Sequence, residues 1–350
     1  MSRRVLALIL VGAGLISAAP ARADRETLPA DFPLSPVTWG GAGGGTSRAE
    51  AATLHRLPVI MVPGLGRDHR DWTGRHPGNR PPRETGSVYA AFLAAGYRPV
   101  ELWMIDFAPE GKEMTSLEEA TDDLKFFIAS VLAYTGAPRV QILAHDTGAL
   151  LTRLTLRKYH IAHWVEAEAY LAGPFHGADP APDPLESLRG HPNAWILSPG
   201  SDLLREIVAF GESPLYRDPV SGGSFKLRTL TLRNGTMDGD SVFQRLPDSP
   251  ALEGAVNVAL PGLDHDALRC ASAATAAFIP FLIRETTPLA PGMDRDGDGF
   301  RGAAAGGPDC DDSDPRVYPG APEERGDGRD QDCNGHDLAP LGGRDGELPL

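Results

Sequence analysis

Only three of the 350 residues are cysteine, so the chain can close at most one internal disulfide. Cys310 and Cys333 lie in the C-terminal segment and could pair, leaving Cys270 alone; spacing does not fix the connectivity. Basic patches are equally scarce. The formal charge is −14, and residues 293–337 hold thirteen Asp or Glu against five Arg and no Lys. That balance excludes nucleic acid as a partner, because a phosphate backbone needs a basic surface. Long apolar runs are missing too. Val5–Ala18 is shorter than a bilayer span, and later runs are short and interrupted by charges, so no mature transmembrane helix is expected.

The N-terminus instead reads as an export signal over residues 1–23. Arg3 and Arg4 supply the positive region, Val5–Ala18 the apolar core, and Ala21-Arg-Ala23 a small-residue cleavage site. No cysteine sits near that site, which argues against a lipid anchor. A secreted, periplasmic or cell-surface location follows, in a compartment where cysteines can pair.

Residues 24–55 are rich in Gly, Ala and Pro and read as a flexible lead-in. A domain is expected over 56–285, a Pro-rich linker over 286–292, an acidic module over 293–337, and a tail over 338–350. Within the domain, strands are predicted at 57–62, 100–105, 140–143, 164–171, 227–232 and 255–260. Helices are predicted at 88–95, 147–159, 202–209 and 268–283. A further helix opens at the capping box Ser116-Leu-Glu-Glu119 and ends at Gly136 before Pro138. Strands alternating with helices imply an α/β fold, a mainly parallel sheet covered on both faces, with function at the carboxyl ends of the strands.

The stretch Val140-Gln-Ile-Leu-Ala-His-Asp-Thr-Gly148 has the form of a nucleophile elbow, a strand turning sharply into a helix. Serine is missing from its apex, and Asp146 stands there. Asp238, in Asn234-Gly-Thr-Met-Asp-Gly239, is the candidate acid, modestly preferred over Asp240. His265, in Gly262-Leu-Asp-His265, is the candidate base. Backbone N–H groups of Leu65 and Thr147 are placed to stabilise an oxyanion. Each residue also has a plainer role: Asp146 as a helix cap, Asp238 and Asp240 as turn residues, His265 as part of a solvated loop. The chain order of nucleophile, acid and base favours catalysis.

Residues 57–283 resemble the α/β-hydrolase superfamily, in particular secreted bacterial lipases and extracellular polyhydroxyalkanoate depolymerases. Val59-Ile-Met-Val-Pro-Gly-Leu-Gly66, Ala133-Tyr-Thr-Gly136, Leu171-Ala-Gly-Pro-Phe-His-Gly177 and Ser198-Pro-Gly-Ser201 carry the likeness. It implies the triad Asp146, Asp238 and His265, a small hydrophobic substrate such as a lipid or polyester, and no cofactor for catalysis. Pro63 stands where His is common. The elbow also resembles that of haloalkane dehalogenases and epoxide hydrolases, whose apex is Asp. Their usual Trp after it is Thr147 here, and no large helical cap is evident between the post-elbow strand and Leu227. A hydrolase-fold surface protein without activity is the reading from another class.

Beyond the linker the chain has few aliphatic residues and needs metal, a disulfide or both to fold. Asp294-Arg-Asp-Gly-Asp-Gly-Phe300 begins like a calcium loop, but Ala305 at its twelfth position excludes a complete EF-hand. Asp294, Asp296, Asp298, Asp309, Asp311, Asp312, Asp314, Glu323, Asp327, Asp330 and Asp332 are the candidate ligands. Such hard oxygen donors favour Ca²⁺. The segment about 293–337 is similar to a metal-binding module of secreted and surface bacterial proteins, sometimes labelled copper-binding. That likeness implies a metal site and possible attachment to the cell surface.

Overall fold

The computed structural model describes residues 27–34, 40–64, 66–74, 87–107, 117–178, 197–202, 204–205, 212–219 and 222–339. The expected export signal, Leu65, Ser116 of the capping box and most of the 202–209 helix lie outside them. So does much of the segment expected to lack a cap.

Six strands form a parallel array. They are β2 (Val59–Val62), β3 (Leu102–Asp106), β4 (Val140–His145), β5 (Val165–Leu171), β8 (Arg228–Arg233) and β9 (Val256–Ala259). The edge strand β1 (Gly40–Gly43) pairs antiparallel with β3, giving the order β1-β3-β2-β4-β5-β8-β9. A separate hairpin joins β6 (Leu215–Arg217) to β7 (Ser224–Lys226). Every residue of β2 and β4 is buried, as expected for central strands of a sheet covered on both sides.

The helices follow α1 (Arg48–Ala51), α2 (Arg70–Thr73), α3 (Val88–Ala94), α4 (Leu117–Thr135) and α5 (Thr147–Lys158). In α4 the 3.6-residue stripe of Ala120, Leu124, Phe127, Ile128 and Val131 is fully or almost fully buried. Gly136 ends it at φ 62°, a left-handed stop. Helices α4 and α5 pack together over β2, β3 and β4. A terminal helix, Ser272–Leu282, packs on α3, β5 and β8. The single helix expected at 268–283 is therefore two, Ala267–Cys270 and Ser272–Leu282, broken where Ala271 turns extended.

The lead-in departs from its expected flexibility. Phe32 is buried with its ring 4.9 Å from Trp103, 5.7 Å from Phe127 and 5.4 Å from Tyr134. Tyr134 Oη donates to Asp31 Oδ1 at 2.6 Å. The glycines that looked like a linker build β1 instead. A Cβ on Gly43 (φ 95°) would sit 2.2 Å from the Leu102 carbonyl oxygen, so glycine is what lets this edge approach β3.

The expected linker is also engaged. Leu289 lies over Gly136, and Arg301 Nη2 donates to the carbonyls of Gly136 (3.1 Å) and Thr287 (2.9 Å). The acidic module thus rests on the C-terminal end of α4. Among the described residues no helix is long and apolar enough to cross a membrane.

Candidate active site and acidic module

Chain order places β3 on one side of β2 and β4 on the other, so a crevice opens where the connection reverses. The turn after β2 and the elbow after β4 meet there. Asp146 holds φ 53° and ψ −132°, a strained backbone for a residue with a Cβ. Two glycines make that apex possible. A Cβ on Gly148 would stand 2.4 Å from the Pro63 carbonyl oxygen, and one on Gly64 only 2.8 Å from Asp146 Oδ2. The elbow and the β2 turn are therefore in contact through residues without side chains.

Asp146 takes the N-cap position of α5 but makes no side-chain capping hydrogen bond to it. Its carboxylate keeps 24% exposure, enough to meet a ligand. His265 Nε2 lies 3.8 Å from Asp146 Oδ1, and His265 Nδ1 lies 3.4 Å from Asp240 Oδ1. Burial raises the Asp146 pKa, opposed by His265, the Thr147 backbone N–H and Arg67. Burial presses on His265 in the opposite sense, but the Asp240 and Asp146 carboxylates prevail and raise its pKa. The three side chains form one charge-linked row. Both spacings exceed a tight hydrogen bond, as is common before a ligand closes such a site.

The acid facing the imidazole is Asp240, not the expected Asp238. Asp238 is exposed at φ 58°, and its N–H donates to the Gln244 carbonyl, so the loop turns its side chain outward. Asp240 is buried, with Oδ1 also accepting from the Val242 N–H at 2.8 Å. The tether is the buried Asn234, whose Nδ2 donates to the carbonyls of Gly239 (3.0 Å) and Leu263 (2.6 Å). One amide thus ties the acid loop to the loop bearing His265. Two Asp two residues apart carry no local signal that separates them.

His145, before the apex, is buried and donates from Nε2 to the His265 carbonyl at 3.0 Å. Burial first, then the charges of His265, Arg269 and Arg67, hold its pKa well below 6.5. A neutral His145 therefore fixes the base's backbone. Thr147 is buried at the first position of α5, and its backbone N–H is one of the groups that lower the Asp146 pKa. Leu65, the other expected oxyanion donor, lies outside the described residues.

In the module, Cys310 and Cys333 form a disulfide and Cys270 is a free, buried thiol. The eleven candidate ligands divide. Asp294, Asp296 and Asp312 form one trio, and Asp296, Asp298 and Asp309 another sharing Asp296; Glu323, Asp330 and Asp332 form a third, with donor atoms in each within 4.8 Å. Asp311, Asp314 and Asp327 are directed elsewhere. Asp314 pairs with Arg316 (2.8 Å) and Arg329 (2.9 Å), Asp311 accepts from Ser313 Oγ (2.6 Å), and Asp327 accepts from Gln331 (2.7 Å).

The shared trio fits a cation. One oxygen of each member accepts a backbone N–H, from Asp298, Phe300 and Asp311 respectively, which orients the carboxylate. The second oxygens of Asp296, Asp298 and Asp309 are buried without a hydrogen-bond partner, and Asp309 is fully buried. Burial, followed by neighbouring carboxylates, raises Asp298 to about 6 and Asp309 to about 7. At Glu323, Asp330 and Asp332 a positive charge is already present, since Lys125 Nζ of α4 sits 2.7 Å from Asp332 Oδ2.

The sheet order and the strained elbow give the chain an α/β-hydrolase fold, lipase-like over the stretch that the first family match covers. Residues 56–176 match the family described as "Lipase (class 2)", and residues 309–337 match the one described as "Putative metal-binding motif". Among solved structures, Aspergillus fumigatus lipase B is 15% identical with a TM-score of 0.50, covering 76% of this chain and 64% of its own. Bacillus licheniformis lipase BlEst2 in its mature form is 17% identical with a TM-score of 0.47, covering 66% of this chain and 93% of its own. No curated protein matches the chain.

Proposed function

We propose that this chain is an exported hydrolase of a small hydrophobic, ester-type or alkylating substrate, working through the Asp146 carboxylate with His265 as base and Asp240 as its orienting acid. The observation that carries the reading is the strained, partly exposed Asp146 apex facing His265 at 3.8 Å. A carboxylate attacking an ester carbonyl would give a mixed anhydride, which reverses readily. Attack at a saturated carbon avoids this. An Asp146 oxygen bonds to the carbon as halide departs, or as an epoxide C–O bond opens and its oxygen takes a proton from solvent, leaving an alkyl ester on the enzyme. Water, losing its proton to His265, then adds to the Asp146 carbonyl carbon. The Thr147 N–H, the expected oxyanion donor, stabilises the oxyanion; collapse expels the alkoxide, which takes the proton held by His265 and leaves as the alcohol, and the Asp146 carboxyl gives its remaining proton to solvent.

The acid assignment separates two residues. Asp240→Asn is expected to lower kcat by on the order of 10²–10⁴, through loss of imidazole orientation, whereas Asp238→Asn leaves it within a few-fold. The reverse ranking would return the acid to Asp238.

The pH limb has a defined direction. His265 works when neutral, so turnover rises as pH climbs through its pKa. In the resting protein Asp146 helps to raise that pKa. Esterification removes the Asp146 charge, so the kcat limb is expected below the His265 titration point read by NMR in free protein. A limb at or above that point counts against the ester intermediate.

For the module we infer Ca²⁺, held by Asp296, Asp298 and Asp309 with Asp294 and Asp312 alongside. The support is the chemistry of the donors, all hard oxygens, while the only cysteines nearby are spent in a disulfide. Export rests on the N-terminal signal, and the Cys310–Cys333 bond suits an oxidising compartment. Cell fractionation tests it; recovery of unprocessed protein in the cytoplasm would count against export.

A further inference from the structure

Four charged side chains close a ring beside the catalytic row. Arg67 Nη1 lies 3.3 Å from Asp71 Oδ1, and Asp71 Oδ2 lies 2.5 Å from Arg269 Nη1. Arg269 Nη2 lies 3.7 Å from Asp266 Oδ1, which in turn lies 3.6 Å from Arg67 Nη2. Charges alternate around the circuit, so every neighbour attracts. The Asp71 and Arg269 side chains are only 1% and 2% exposed, while Arg67 and Asp266 keep 28% and 37%.

The members come from two short segments, Arg67 to Asp71 after β2 and Asp266 to Arg269 after the base. Arg67 closes the turn after β2, where the second oxyanion donor is expected. Asp71 belongs to α2, Asp266 follows the base His265, and Arg269 lies in helix Ala267–Cys270. We infer that this ring is a positioning device, with Arg67 and Asp266 as positioning residues that set the β2 turn against the loop bearing His265. The inference rests on the reading of Asp146 and His265 as the catalytic pair.

Two features argue that it positions rather than merely stabilises. A buried ion pair is costly to desolvate, and an apolar pair would fill the same space with less penalty, so its value lies in fixing geometry. The ring also spans the two loops directly at its solvent-facing corner, through Arg67 and Asp266. The other crossing between the two segments, Asp71 to Arg269, is buried, so the open one governs how far the loops can part. Arg67 is near enough to Asp146 to lower its pKa, and Asp266 near enough to His265 to raise that of the imidazole.

The test is amide hydrogen exchange on the full chain, comparing wild type with Arg67→Gln, Asp266→Asn and the double variant. Each single change is expected to speed exchange about tenfold in both loops, 66–68 and 263–266, while β5 stays unchanged. The double variant should fall short of the summed single effects, since the Arg67–Asp266 link is already lost in each. Arg67→Lys, which keeps charge but loses the fork, should fall between. Acceleration confined to the mutated loop, or additive effects, would overturn the inference. Should Arg67→Gln fail to fold, Asp266→Asn at the exposed corner still decides. On a substrate that wild type turns over, both variants should lose kcat with KM nearly constant. If wild type turns over none, the hydrolase reading fails while the exchange result still judges the ring.

Discussion

His265→Gln protein incubated with a haloalkane or an epoxide is expected to gain the mass of the alkyl fragment on the peptide containing Asp146. Its turnover should fall by on the order of 10³–10⁴ relative to wild type, the upper reach of a lost general base. The two results have one cause. Attack by Asp146 needs no proton transfer to His265, so alkylation survives the substitution. Hydrolysis of the ester needs water made basic at 3.8 Å from Asp146, so the second step stalls. Intact-protein and peptide mass spectrometry read the adduct directly. An ester panel run alongside separates the alternatives. Turnover of esters with no adduct would move the chemistry away from a carboxylate nucleophile. No turnover of any substrate by wild type, with Asp146→Ser gaining esterase activity, would identify a lipase scaffold whose apex has been disabled.

Removing Ca²⁺ or the Cys310–Cys333 bond is expected to release the C-terminal module while the hydrolase sheet stays folded. Occupancy at a hundredfold excess over Kd stabilises the bound state by about 2.7 kcal/mol, and closing a loop of this length contributes about 3 kcal/mol. A module with few buried aliphatic side chains has little else to hold it. Phe300, Val317 and Ala321 are its buried apolar residues outside the disulfide. Limited proteolysis with intact-mass detection should show cleavage within 293–337 after chelator or in a Cys310→Ser/Cys333→Ser variant, and protection when Ca²⁺ is restored to the wild type. Protection that ignores Ca²⁺ and chelator would remove the calcium assignment; protection restored by copper alone would replace it.

The elbow was legible because its signals are local. Four buried apolar residues, a turn and a helix-forming run lie within fifteen positions, and Gly148 marks the close approach. The stripe in α4 and the alternation of strands with helices are local too, so the parallel sheet followed. The Gly-rich β1 escaped because it has almost no side chains to create a pattern; its reason for existing is the backbone of β3. Asp240 escaped for a related reason. Its selection over Asp238 depends on Asn234 reaching Leu263, a contact across 29 residues.

Sequence by itself determined the α/β class, the apex identity of Asp146, the candidacy of His265, and the acidic composition of the C-terminal segment. Those properties depend on periodicity, chain order and composition, which no distant contact alters. Tertiary structure alone decided which aspartate faces His265, how the acidic residues divide, that Lys125 pairs with Asp332 in one cluster, and that four charges form a ring beside the site. Each is a relation between side chains from separate loops, and electrostatic pairing depends on distances that only the folded chain sets.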